Sequence, residues 1–371
     1  MMQMKVKLED ITRYSKGSQI NGSELIDDGK YIYLNGGITP SGRWNSYNVD
    51  ANTVTISEGG NSSGYVNFIA EPFWCGAHCY YLYEGPKNTK YLYYALKSQQ
   101  ERLFAIRSGA CMPNIKKADL GKFEIEFESD QKKQNEIVAV LSKAESVIDK
   151  RKKEIERLDN LIKARFVEMF GDPTTNPMSW KQTTIGDECF YIKDGPHKSL
   201  SNIGKENCGH PFISVRNIVN GVIDFSTAKY ISDEDYADAI KKCHPEKGDM
   251  LYSKGGTTGI AKLIDIDEPF ANWVHVAVLK FDKSKLNGIF FENMLNGAYC
   301  YEQSQRLTKG IANRDLVLSA MAQIKMYRPP MDLQEKFAQF VHQVDKSKVA
   351  VKKELEKTQL LFDSLMQQYF G

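Results

Sequence analysis

Two stretches decide how this chain is read: "ISEGGNSSGYVNFIAEPFWCGAHCYYL" (residues 56–82) and "YSKGGTTGIAKLIDIDEPFANWVHVAVL" (residues 252–279). Both run through a Gly-Gly loop, a strand-like segment, Glu-Pro-Phe, and a histidine five residues beyond the Phe. Gly59-Gly60 answers Gly255-Gly256 at an offset of 196, and Glu71-Pro72-Phe73 answers Glu268-Pro269-Phe270 at 197. Outward from there, Gly109 and Leu120 align with Gly310 and Met321 at 201, and Phe170-Gly171 with Phe370-Gly371 at 200. At the other end, Leu8-Glu9-Asp10 is matched by Ile185-Gly186-Asp187 at only 177, so the second copy is longer in its early part. Matches kept in order over such distances mean an internal duplication of the whole chain.

At 371 residues the chain exceeds what one hydrophobic core usually serves, which agrees with two globular parts. Apolar content of 42% and charged content of 26% are ordinary for a globular protein. The opening "MMQMKVKLEDI" has no apolar core of a signal peptide, and no window approaches the apolar length of a membrane span, so a cytoplasmic protein is expected. Seven cysteines (Cys75, Cys79, Cys111, Cys189, Cys208, Cys243 and Cys300) are odd in number and scattered, which suits reduced thiols rather than a disulfide framework.

Each copy has two parts. Residues 1–130 and 172–330 mix short β-rich runs ("NTVTIS", "YVNFI", "DMLYS", "HVAVLKF") with Gly, Asn and Pro punctuation and a few helical stretches. These read as α/β or α+β globules. Residues 131–171 and 331–371 are rich in Lys, Glu and Leu and free of interior Gly and Pro, long enough for helices of roughly 55 Å. A heptad runs through both. In the first it is Ile137, Leu141, Ala144, Ile148, Ile155, Leu158, Ile162 and Met169, interrupted by Arg151 and Arg165. In the second it is Phe337, Val341, Val344, Val351, Leu355, Phe362, Leu365 and Tyr369, interrupted by Lys348 and Thr358. A narrow seam of this kind needs a partner helix, and the simplest partner is the other copy. An approximate two-fold axis would make the pair an antiparallel coiled coil with "GDPTTNPMSW" (171–180) as the linker. Val140, Val147, Leu161, Phe340 and Leu361 lie off the seam and are expected to be free for partners.

A globule, a long helix, a second globule and a closing helix resemble the specificity (S) subunit of type I restriction–modification enzymes, over essentially the whole chain. "DMLYSKGGTTGIAKLI" is similar to that family's strand-and-glycine-loop signature in a target-recognition domain, and "PPMDLQEKFAQFV" to the start of its conserved helix. The segment 38–82 resembles another variety of the same domain, whereas "FESDQKKQNEI" lacks the double proline found at Pro329-Pro330. The resemblance implies one target-recognition domain per half of a bipartite target in double-stranded DNA, with the helices as a ruler for the spacer. It also implies two methyltransferase (modification) subunits flanking the chain, with restriction (translocase–nuclease) subunits joining through them. Half-sites one helical turn apart, ~34 Å, are within the reach of such a ruler. Because the two globules differ in sequence, the half-sites should differ too.

Candidate DNA-binding residues follow from chemistry. The glycine loops allow close backbone approach and carry Ser57, Gly59, Asn61 and Ser62 in one copy, and Ser253, Lys254, Thr257 and Thr258 in the other. Further candidates are Arg43, Trp44 and Asn45 in "SGRWNSY", His197 and Lys198 in "DGPHKSL", and Arg216 and Asn217 in "SVRN". Two matched loops add Arg107, Asn114, Lys116 and Lys117, and Arg306, Lys309, Asn313 and Arg314. Arg suits guanine and Asn suits adenine in the major groove. An ordinary solvated loop is the competing expectation for each of them. His78 and His275 lie in apolar strands and are expected to be satisfied core histidines.

Charge adds a constraint. Residues 1–130 hold 14 Lys and Arg against 15 Asp and Glu, and residues 172–330 hold 19 against 19. Phosphate neutralisation needs a basic excess, so weak DNA binding is expected of the chain alone, with the flanking subunits of the resembled family completing the clamp. Catalytic patterns are missing. "CGAHC" has no second Cys/His pair at zinc spacing, "GGTTGIAK" lacks the phosphate-loop spacing, and the Asn/Asp-Pro-Pro-aromatic motif of amino-methyltransferases is absent. No cofactor and no metal are expected. A self-contained restriction or modification enzyme, and a coiled-coil scaffold that binds protein, remain as alternatives of other classes.

Overall fold

The computed structural model describes residues 4–109, 112–207, 209–310 and 313–371. It divides into two units, Met1–Lys153 with Lys352–Gly371, and Glu154–Val351. Cys111 and Cys208 lie outside the described residues. The other five cysteines are buried free thiols, and burial pushes Cys243 up to about 11 and Cys189 and Cys300 up to about 12.

The first unit holds a four-stranded antiparallel sheet in the order Arg13–Lys16, Cys79–Tyr83, Thr53–Ser57, Val66–Ile69. A three-stranded sheet follows the order Gly42–Trp44, Tyr31–Leu34, Trp74–Cys75, its last pairing parallel. Met4–Lys7 pairs with Glu124–Phe127 to close the globule. The second unit repeats this sheet for sheet. Its four strands are Cys189–Asp194, Val276–Phe281, Met250–Ser253 and Ala261–Leu263; its three are Lys229–Ile231, His210–Ile213 and Ala271–Asn272; its closing pair is Lys181–Thr184 with Lys325–Arg328. The duplication read from spacing is thus a duplication of topology.

Local chemistry repeats as well. The helix Thr89–Ser98 starts where Asn88 accepts from Tyr91 N at 2.9 Å, and it buries Tyr91, Leu92, Ala95 and Leu96 beside the central strand. Its counterpart Gly288–Asn296 is capped by Asn287 and buries Phe290, Phe291, Met294 and Leu295. An asparagine side chain satisfies backbone donors that the first turn leaves open. The extra residues of the second copy form the longer connection from His210–Ile213 to Lys229–Ile231 and then the helix Asp233–Lys242. That helix has a Ser232 cap, three acids in its first turn and two lysines in its last, each favourable to the helix dipole.

The two long helices are Gln131–Phe170 and Met331–Phe370. In the first unit Ile137 and Leu141 share a core with Met366 and Phe370. In the second, Ile162, Phe166 and Phe170 share one with Phe337, Val341 and Val344. Start meets end in both units, so the helices pair antiparallel as a coiled coil. Ile137, Leu141, Ala144 and Ile148, and Phe337, Val341, Val344 and Val351, are buried as the heptad requires. Near each C-terminus the seam differs from expectation. Phe166, Phe170, Met366 and Phe370 are buried, while Met169, Leu365 and Tyr369 are only half-buried. Steps of four replace the alternation of three and four because the straight helix drifts from a 3.5-residue repeat and its end enters a globular core. Phe170 there packs on Phe290 at 4.9 Å and on Phe337 at 5.5 Å.

Interrupting residues turn out to join the helices. Lys348 Nζ lies 2.6 Å from Asp159 Oδ1, and the Arg165 guanidinium lies over the Phe340 ring at 5.6 Å. Phe340 is therefore half-covered rather than free, and Val147 is half-buried as well, whereas Val140, Leu161 and Leu361 stay exposed. The helix starts also solve one problem in two ways. The second opens after Pro329-Pro330, with buried Gln334 donating to Pro329 O at 2.8 Å. The first, without prolines, has Asp130 accepting from Lys132 N at 2.9 Å, and buried Gln134 donating to Glu128 O at 2.6 Å.

Candidate nucleic-acid interface

In the second copy the strand Met250–Ser253 runs into Lys254, Gly255 and Gly256. Lys254 N and Gly255 N donate to His275 O at 2.8 and 3.3 Å, Gly256 N donates to Arg314 O at 3.0 Å, and Leu316 N donates to Lys254 O at 2.7 Å. The loop is thereby clamped between the turn at Trp273–His275 and the segment 313–316. Glycine is required twice: a Cβ on Gly255 would run into the His275 ring, and Gly256 has φ +69°. Around the clamp lies one depression to which Arg216, Gly256, Asn313 and Arg314 all contribute. Three of these, Arg216, Asn313 and Arg314, are sequence-derived candidates, and the fold brings them to the exposed Gly256 from separate segments. Arg216 donates Nη2 to Thr227 O at 2.8 Å and Arg314 donates to Gln305, which leaves other guanidinium donors for a ligand.

Trp273, His275 as a surface group, and Asp315 line the same depression, and none of them is among the sequence-derived candidates. His275 is half-buried, its ring edge-on to Trp273 at 4.8 Å, and its Nδ1 has no partner. Asp315 occupies the place that Asn114 takes in the first copy, since Gly255 bridges Asp315 as Gly59 bridges Asn114. The offset of 201 between the matched loops was the signal that could have found it.

The first copy builds the same clamp. Glu58 N donates to His78 O at 2.8 Å, Gly60 N to Pro113 O at 2.9 Å, and Ile115 N to Glu58 O at 2.9 Å. Glu58 pairs with Lys16 at 2.8 Å and with His78 Nδ1 at 3.3 Å. Burial alone would raise the Glu58 carboxyl, but hydrogen bonds from Lys16 and His78 outweigh it and hold the group below its usual range. Arg107 reaches Asn61 O at 3.4 Å, and Asn114 Oδ1 accepts from Ser108 Oγ at 3.1 Å.

Several candidates turn inward. Ser57 and Ser253 are buried at strand ends, Ser57 bonded to Gly36 O and Ser253 accepting from Ile260 N at 2.8 Å. Thr258 is buried against Thr308 Oγ1 at 2.9 Å. Lys254 is buried in ion pairs with Asp315 at 2.9 Å and Asp194 at 3.6 Å. Asn217 is buried and its amide is used within its own turn, accepting from Ser214 N at 2.9 Å and donating to Asp224 O at 2.8 Å. These five build the loops and are not placed to reach a base. His78 also departs from expectation, being exposed on Glu58 rather than in the core, and His275 is not satisfied.

The remaining candidates are at the surface. Gly59 is half-buried on the clamp, and Asn61 and Thr257 are exposed beside the glycines; Ser62 donates to Gly36 O at 2.6 Å. Arg43 donates to Gly29 O and Lys30 O and lines a different depression, while Trp44 is edge-on to Trp74 and Asn45 is exposed. His197 stands 3.9 Å from Asp194, and Lys198 stands 3.5 Å from Asp235. Lys116, Lys117, Lys309 and Asn313 are exposed, and Arg306 pairs with Glu302 at 3.3 Å. Among the described residues no group of three or more His, Cys, Asp and Glu is placed to hold a metal ion, and no helix is long and apolar enough to cross a membrane.

Comparison with known proteins bears on all of this at once. The family model described as the type I restriction modification DNA specificity domain matches residues 3–159 and again 177–360. A Mycoplasma genitalium protein described as a type I specificity subunit is 27% identical over 98% of this chain and 92% of its own. The specificity subunit of a type I restriction enzyme from Methanocaldococcus jannaschii is 24% identical over 75% of this chain and 67% of its own. The crystal structure of a type I restriction–modification S subunit from M. genitalium shares the fold, with a TM-score of 0.63 and 24% identity over 100% of this chain and 96% of that one. The chain belongs to the family of type I restriction–modification DNA specificity subunits, whose part is sequence-specific DNA recognition rather than catalysis.

Proposed function

We propose that each unit reads one half of an asymmetric bipartite DNA target through the face that carries its glycine loop. The observation that carries this is the depression of the second copy, where Arg216, Asn313 and Arg314 come from separate segments to one place around an exposed Gly256. Guanidinium and amide groups are the side chains best matched to guanine and adenine edges. In the first copy Arg107, Asn61 and Asn114 hold the corresponding ground around Gly59. Lys116, Lys117, Lys309 and Thr257 are exposed nearby in sequence and serve as phosphate and backbone contacts. Arg43, Trp44, Asn45, His197, Lys198 and Arg306 are secondary contacts at the margins.

A specificity subunit of this family assembles with methyltransferase and restriction subunits on DNA. Here two methyltransferase subunits dock on the helices, using exposed Val140, Leu161 and Leu361, and the restriction subunits join through them in the cytoplasm. The paired helices act as the ruler for the spacer. Both units draw residues from both helices, so a change in helix length bears on the two together. Inserting four residues within 145–160 of the full chain, co-expressed with its methyltransferase, tests the ruler by mapping methylated sites. An altered spacer with both half-site sequences unchanged is expected. New half-site bases with the old spacer would overturn it.

A further inference from the structure

The depression of the second copy contains a group that DNA backbones repel. Asp315 lines it beside Arg216 and Arg314, with a side chain 44% exposed. Its Oδ1 is held 2.9 Å from Lys254 Nζ, and Lys254 is itself 7% exposed and 3.6 Å from Asp194. A buried ammonium pinned from behind fixes where the carboxylate points, and it does so without reaching the surface. Taking the depression as a DNA interface, the reading on which this inference rests, we propose that Asp315 is a base-reading residue that selects cytosine at one position of its half-site, with Lys254 as its positioning residue.

The chemistry narrows the choice. Phosphate oxygens, guanine O6 and N7, and thymine O4 all present lone pairs to a carboxylate and are disfavoured. Two amino groups remain in the major groove, cytosine N4 and adenine N6. Adenine places N7, another acceptor, beside N6, so a carboxylate meets one donor and one lone pair. Cytosine offers its amino group without an adjacent acceptor. The two arginines beside Asp315 suit the guanine of the same base pair.

The first copy supplies the contrast. Asn114 stands at the matching place, bridging Gly59 and Ser108 as Asp315 bridges Gly255 and Lys309. A carboxamide offers one donor and one acceptor, the complement of adenine N6 and N7. One position in the fold thus carries a cytosine-seeking group in one copy and an adenine-seeking group in the other.

The test uses the full chain assembled with its methyltransferase subunits, in competition binding against single-base variants across both half-sites. Asp315→Asn should move one position of one half-site from cytosine toward adenine, changing that preference about tenfold. Asp315→Ala should flatten the same position, while an unchanged readout of the other half-site certifies a folded complex. For the unaltered chain, replacing that cytosine with 2-pyrimidinone, which lacks the 4-amino group, should weaken binding about tenfold. The inference fails if Asp315→Asn lowers affinity evenly over the panel, or if no cytosine position responds to loss of its amino group. If Arg216→Ala and Arg314→Ala also leave every preference unchanged, the depression is not a DNA interface and the underlying reading fails with it.

Discussion

In the first copy the Gly59–Gly60 loop is anchored by Lys16 and Glu58, 2.8 Å apart; in the second, the Gly255–Gly256 loop is anchored by Asp194 and Lys254, 3.6 Å apart. Lys16 and Asp194 each end the edge strand of the four-stranded sheet, and Glu58 and Lys254 each follow its inner strand. The ion pair is kept in place with its charges exchanged. Its surroundings adjust accordingly. Glu58 gives His78 an acceptor at 3.3 Å, whereas Lys254 has none to give and His275 Nδ1 is left without a partner. The pair also lies at different depths. Lys16 is 44% exposed, but Lys254 is 7% exposed and holds Asp315 as well. What the fold requires at this place is a cross-strand tie that fixes the loop, and either polarity provides it. What differs between copies is the chemistry the tie presents outward, as two different half-sites demand.

The largest effect should separate the copies by depth. Lys254→Met removes a 7% exposed cation from Asp315 and Asp194, and because Asp194 keeps Lys242 at 3.0 Å and Asp315 is 44% exposed it should cost the second copy about 1–3 kcal/mol. Lys16→Met removes a pair open to water and should cost the first about 0–1 kcal/mol. Chemical denaturation combined with hydrogen exchange at residues 58–64 and 254–260 reads both. Equal costs would show that burial of the pair is not what distinguishes them.

A smaller effect concerns the two matched loops, where exposed Lys309 stands at the place of Ser108. As a phosphate contact, Lys309→Ala should weaken binding to all sequences alike and reduce the salt slope by about one. A change of base preference, measured by titrations at several salt concentrations, would make Lys309 a reader instead.

The smallest effect is a pH dependence peculiar to the first copy. Glu58 has a folded pKa below its unfolded one, so the stabilisation is complete above the ordinary carboxylate range and fades as pH falls through the lowered value. The protection of amides around Gly60, taken relative to the intrinsic exchange rate at each pH, should therefore fall on acidification, and Glu58→Gln should remove that dependence. Persistence of the same acid response in Glu58→Gln would assign it to another group.

Much of this molecule was legible in its spacing. Offsets near 200 gave the duplication, and Ile137 to Ile148 with Phe337 to Val351 gave the seam, because repeats and heptads are local patterns in one dimension. The C-terminal turns were not legible, since whether Phe170 or Met169 faces inward depends on Phe290 and Phe337 from elsewhere in the second unit. The glycine loops were visible as loops, yet the side chains around them were not sorted. Lys254 looks like a phosphate contact until Asp194 and Asp315, distant in sequence, are seen to enclose it. Asn217 looks like a base reader until the turn Ser214–Asn217 is seen to consume its amide. Asp315 is masked by its charge, which phosphate disfavours, although the offset of 201 from Asn114 points to it.

One reader per half-site is the central claim, and competition binding of the assembled complex tests it most directly. The panel carries every single-base change in both halves, read for the unaltered chain, for Arg107→Ala and for Arg216→Ala. Each substitution should cost about 1–3 kcal/mol at one or two positions of a single half-site, a different half for each, and leave the other half's preferences intact. Loss spread evenly over both halves after either change would contradict the claim.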